Sequence, residues 1–77
     1  MPTLLVLNGF RFFFYSNENK EPVHVHVEKG DAIGKVWLEP LTVHYFKGFT
    51  TREEREILSI VENYRTEFIN KWNEYFA

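Results

Sequence analysis

Along residues 22–28 apolar and polar positions alternate: Pro22-Val23-His24-Val25-His26-Val27-Glu28. Side chains alternate across a strand, so Val23, Val25 and Val27 share one face and His24, His26 and Glu28 the other. Two neighbouring runs match this division. Phe10, Phe12 and Phe14 form one apolar set, and Gly34, Val36 and Leu38 another. Their opposite faces read Arg11, Phe13, Tyr15 and Lys35, Trp37, Glu39. A one-residue slip would bury those charges, so the pattern fixes the register. Turn signals separate the runs. Thr3 to Leu7 ends at Asn8-Gly9, a type I′ hairpin signal. Phe10 to Tyr15 ends in the polar loop Ser16 to Pro22, and the His-Val strand ends at Lys29-Gly30-Asp31. A fourth strand runs from Ile33 to Glu39, and a short fifth from Leu41 to Phe46.

After Gly48 the period changes. Thr50 and Glu53 form a capping-box signature, with Thr51 the competing cap. Ile57, Val61, Tyr64, Phe68, Trp72 and Tyr75 then recur at helical spacing, without an intervening glycine or proline. The chain therefore reads as one α+β domain over residues 1–77. A small antiparallel sheet of four or five strands fills 1–47, and one long C-terminal helix over 50–77 packs on its Phe/Val face. A helix of about 26 residues is ~39 Å long and overhangs short strands. Either it bends near Asn63, or Trp72, Tyr75 and Phe76 reach another chain. The second option predicts a homodimer or a heterocomplex.

Composition narrows the class. The 77 residues carry 18% aromatic residues, which supply apolar area that a small domain otherwise lacks. With no cysteine, disulfides, thiolate metal sites and a cysteine nucleophile are excluded. The formal charge of −2 argues against nucleic-acid binding through bulk charge. The start Met1 to Leu7 lacks a basic segment, and no run approaches the ~20 apolar residues of a membrane helix. A cytoplasmic protein without membrane contact is expected.

Candidate chemistry lies on the polar sheet face. His24 and His26 sit side by side, with titration near neutral pH. Their bland reading is polar spacing on a solvent-facing strand. Their functional readings are partner or anion binding, acid–base catalysis, and metal ligation. For a metal, two imidazoles are too few, and a third ligand such as His44, Glu28 or Glu39 would have to converge; no metal and no cofactor is predicted. Arg11 and Lys35 are either ordinary cross-strand charges or a phosphate clamp. Phe13, Tyr15, Lys35 and Trp37 are the candidate partner- or ligand-binding residues, because large rings on a polar face suit a recognition surface. His44 reads as a surface residue. The helix charges, among them Glu62 with Arg65, read as a solvated outer face.

Four blocks carry a family resemblance: Arg11-Phe12-Phe13-Phe14-Tyr15-Ser16-Asn17-Glu18, Glu21-Pro22-Val23-His24-Val25-His26-Val27, Lys35-Val36-Trp37-Leu38-Glu39-Pro40, and Trp72-Asn73-Glu74-Tyr75-Phe76. The chain resembles the small bacterial proteins of domain-of-unknown-function family 4160, nearly over its whole length. Val23 stands where many members have a second proline. The resemblance implies a toxin-like component of a type II toxin–antitoxin pair, with an antitoxin-like protein from the neighbouring gene as partner. It implies no chemistry.

Two functions follow. In the first, the histidine face acts on a target, RNA among the choices. A metal-independent ribonuclease would use His24, His26 and Arg11 as base, acid and phosphorane-stabilising cation. In the second, a non-enzymatic module without toxin activity docks a partner through Trp37 and Phe13. Whether the protein is an enzyme is left open.

Overall fold

Asn8 and Gly9 both adopt positive φ, 54° and 85°, as a type I′ turn requires. They join the first two strands of a five-stranded antiparallel sheet in a computed structural model that describes residues 3–18 and 20–77. The strands are β1 Thr3–Leu7, β2 Phe10–Phe13, β3 His24–Lys29, β4 Ala32–Leu38 and β5 Leu41–Lys47, and they pair in sequence order. A single helix, α1 Thr51–Tyr75, follows. Met1, Pro2 and Asn19 lie outside the described residues.

The register matches the alternation. Phe12 pairs with Val27, which pairs with Gly34, and this row faces the helix with Phe46 beyond it. Phe13 pairs with His26 and His26 with Lys35, on the opposite face. Phe10, Phe12, Phe14, Val25, Val27, Val36 and Leu38 are buried with Ile57, Ile60, Val61, Phe68 and Trp72 of α1 in one core. Gly34 lets the two layers approach. A Cβ there would fall 2.7 Å from Phe46 Cδ1 and 3.1 Å from Val27 Cγ1.

The fifth strand, unreadable in register beyond Pro40, carries a bulge. Lys35 pairs with Tyr45 and Val36 with Val43, so His44 is the extra residue. It is exposed, with its ring 5.2 Å from that of Trp37.

Thr50 is the cap of α1: its Oγ accepts from the Glu53 amide at 3.1 Å, and Glu53 Oε1 accepts from the Thr50 amide at 2.9 Å. Several helix charges do not face solvent alone. Glu53 pairs with Lys29 at 3.2 Å, Glu56 accepts from Asn8 at 2.9 Å, and Arg65 donates to the Leu38 carbonyl at 2.6 Å. These contacts tie the helix to three strand ends.

Two features go beyond the alternation. The rings at the helix end pack largely within the chain, while Tyr75 stays about half exposed. β2 stops at Phe13, yet Phe14 remains wholly buried beyond the sheet, and Trp72, Tyr75 and Phe76 pack on it with centroids 5.1–5.3 Å away. The apolar surface thus extends past the strands, and the long helix matches it. The histidine face is not wholly solvent-facing. Past His26 the third strand has lost its β2 neighbour, and Trp72 enters that gap, 4.9 Å from a His24 ring with no exposed surface.

Phe12→Ala should therefore cost about 3–5 kcal/mol through the cavity it leaves. Gly34→Ala should cost about 1–3 kcal/mol through overpacking, both read from urea unfolding. The cap adds a pH dependence. Hydrogen bonds from the Thr50 amide and Lys29 hold the Glu53 carboxyl below its ordinary 4.5. Its contribution is present above pH 4.5 and is lost as pH falls through the lower, folded value. Glu53→Gln keeps a cap acceptor without the charge, so its stability should fall less steeply below pH 4.5 than that of the parent protein.

Candidate functional site

Between β2 and β3 the chain leaves the sheet and folds back over its polar face. The turn is closed by a hydrogen bond from the Glu21 amide to the Glu18 carbonyl at 3.1 Å. A second fixes the Glu18 side chain, whose Oε1 accepts from the Tyr15 amide at 2.8 Å. The carboxylate is thereby aimed at the start of β3. His26 Nε2 lies 3.1 and 2.9 Å from its two oxygens, and His24 Nε2 lies 3.0 Å from Oε1. His24 Nδ1 donates to the Pro22 carbonyl at 2.9 Å, which fixes the ring's tautomer and orientation.

The cluster is almost dry. The side chains of His24, His26 and Glu18 keep 0%, 10% and 12% of their surface exposed, so the exposed part of the cluster is its Glu18–His26 rim. Aromatic rings form its walls. Phe13 stacks on His26 at 5.4 Å, Tyr15 meets it edge-on at 4.9 Å, and Trp37 and Trp72 close on His24. Burial pushes His26 below its ordinary 6.5, outweighing the upward pull of Glu18, so the ring is neutral at pH 7. Burial pushes Glu18 upward, but His26, the Tyr15 amide and nearby His24 outweigh it and hold the carboxyl below its ordinary value. Neutral imidazole and carboxylate therefore coexist here.

The other predicted site residues are distributed around this centre. Lys35, opposite His26 in register, is buried; it donates to Glu21 Oε1 at 2.5 Å and lies 4.6 Å from the Trp37 ring centroid. Arg11 stands opposite Glu28, one pair further along. It is ion-paired with Glu28, donates to Thr3 Oγ1 at 3.1 Å, and stacks 4.3 Å over Phe13. The structure thus brings together His24, His26, Phe13, Tyr15, Lys35 and Trp37, while Arg11 is reached through Phe13.

Sequence reasoning missed Glu18. It considered His44, Glu28 and Glu39 as a third group beside the histidines, but Glu18, from the polar loop, takes that place. One signal pointed to it. The loop must return antiparallel so that Phe13 meets His26, which brings its polar residues back toward the histidine strand.

Glu18→Ala removes the acceptor of His26 and of the Tyr15 amide together. Leaving the nearly buried His26 donor unpaired should cost about 1–3 kcal/mol in urea unfolding. Glu18→Gln, which keeps an acceptor, should cost less. Equal losses in both variants would mean that charge, not acceptor capacity, matters at this position.

Against known proteins, no curated protein and no solved structure matches the chain. Among the described residues no helix is long and apolar enough to cross a membrane. A family model does match, over residues 9–73, a span that includes the strands from β2 onward, the loop with Glu18, both histidines and most of the helix. The chain belongs to the family described as Domain of unknown function (DUF4160).

Proposed function

We propose that this protein is the toxin-like member of a bacterial two-protein toxin–antitoxin pair, and that it acts in the cytoplasm by docking the open face of its sheet on its partner or target. The family resemblance supports the pairing with a neighbouring-gene protein. One observation carries the docking. Opposite the helix, the sheet face beyond the Glu18 loop exposes Val6, Tyr15, Ile33 and Tyr45, large apolar groups set among charges that are already paired. Val6, Arg11, Glu28 and Ile33 form one cross-strand row, and Tyr45 lies opposite Lys35 on the next strand. Aromatic and aliphatic anchors with internally satisfied charges suit a protein surface.

RNA cleavage is less well supported. A metal-independent ribonuclease needs a free cation at the phosphate, whereas Arg11 and Lys35 each have a carboxylate partner. The imidazoles also have little solvent access. Docking requires none of these groups to be free.

Co-expression with the neighbouring gene product tests the reading. The expected outcome is growth inhibition by this protein alone, relief by the partner, and co-purification of the pair. Ile33→Asp/Tyr45→Asp should weaken the complex by about tenfold or more with unchanged circular dichroism. Strong expression with neither growth effect nor complex overturns the proposal. So does RNA degradation that persists in Ile33→Asp/Tyr45→Asp and disappears in Glu18→Gln.

A further inference from the structure

We propose that Glu18, His24 and His26 form a binding site for a transition-metal dication of the zinc type. One ligand atom from each residue lies within 4.8 Å of the other two. A tetrahedral ion holds its ligands at about 2.0–2.2 Å and hence about 3.4 Å apart; the imidazole–carboxylate contacts at 2.9 and 3.0 Å would open slightly and the rest of the set would draw in to reach that spacing. Two imidazoles and one carboxylate are a donor set that zinc and neighbouring first-row dications accept, and three protein ligands leave a position for water or a partner's group.

The hydrogen-bonding argues for a cation independently of this proximity. His24 Nδ1 donates to the Pro22 carbonyl at 2.9 Å, so a neutral ring presents the bare lone pair of Nε2. That nitrogen is completely buried and has no hydrogen-bond partner. It nevertheless lies 3.0 Å from Glu18 Oε1, close to the carboxylate but not aligned with it as donor and acceptor. In the neutral tautomer with its hydrogen on Nδ1, that lone pair and the carboxylate would repel in a dry site. A cation ligated by both turns that repulsion into two bonds.

The supporting groups fit as well. Metal-bound histidines characteristically donate their second nitrogen to a carbonyl or carboxylate, the role Pro22 plays for His24. Lys35, opposite His26 in register, is paired with Glu21 rather than with Glu18. Uptake of a dication at His26 Nε2 requires the ring's single N–H to sit on Nδ1, so the hydrogen shared with Glu18 moves to Nδ1 and the metal takes its place beside the carboxylate. Bound metal would fasten the loop that carries Glu18 to β3, in a chain without disulfides.

The inference does not depend on docking, because the isolated chain tests it. Protein stripped with a chelator and dialysed is titrated with zinc by calorimetry, and its melting temperature is followed in parallel. One zinc per chain and a raised melting temperature are expected. Cobalt in place of zinc should give visible d–d absorption. Glu18→Gln, which keeps the side chain's size, and His26→Gln should each weaken zinc binding by about tenfold or more. His44→Ala removes the remaining histidine and should leave binding unchanged. Parent protein that takes up no stoichiometric zinc overturns the proposal. So does undiminished affinity in a folded Glu18→Gln variant, or binding lost in His44→Ala.

Discussion

The pairing of Phe13 with His26 is the constraint on which both faces of this molecule depend. With that pair set, Phe12 must face Val27 and the helix, while His26 must face the loop that returns from Phe13. A slip by one residue would present imidazoles to α1 and valines to Glu18, leaving the carboxylate without its histidine partners. The hydrophobic core and the polar cluster therefore specify the same register from opposite sides of the sheet. Each is a penalty against the other's misplacement.

The loop's effect on the outer face is unusual for an antiparallel sheet with one helix. Such sheets commonly leave their second face to water. Here the segment after Phe13 covers one end of that face, so Phe13, His26 and Lys35 are buried although they point away from the helix. The cover is polar where it touches the sheet. Glu18 meets the histidines and Glu21 meets Lys35. Buried charge costs desolvation that Coulomb attraction only partly offsets. This second, smaller interior therefore contributes geometric definition more than net stability, which the aromatic core under α1 supplies. A site can be rigid on such an arrangement without the fold depending on it.

Elements governed by local chemistry were legible in the chain. Asn8-Gly9 requires positive φ, Thr50 and Glu53 require each other across one helical turn, and the alternation from Val23 to Glu28 admits one division of faces. What escaped was set by distances that a linear pattern does not contain. Glu18 lies in a stretch whose composition says only that it turns, and its target is two strands' geometry away. Lys35 has Glu28 and Glu39 nearer in sequence but finds Glu21 on the loop. His24 obeys the alternation, yet is buried because β2 ends early and lets Trp72 through. The bulge that sets His44 aside changes register with no composition signal at all. In each case the sequence pattern identifies the face, and tertiary closure decides exposure.

This division also separates the two functional readings. The exposed remainder of the outer face offers Val6, Ile33 and Tyr45 as contact area, and contact area needs no activated group. The buried end offers the reverse: two imidazoles and a carboxylate with little room for a substrate and few competing water molecules. Dry donor atoms that converge on one another are suited to holding a small cation rather than a nucleotide. Surface recognition and cation binding can therefore share one sheet face, because the Glu18 loop partitions it. Tyr15, exposed beside the loop and edge-on to His26, is the residue common to both parts. A partner seated on Tyr15 would rest on the ring that borders the cluster, and so would be sensitive to how the loop is held.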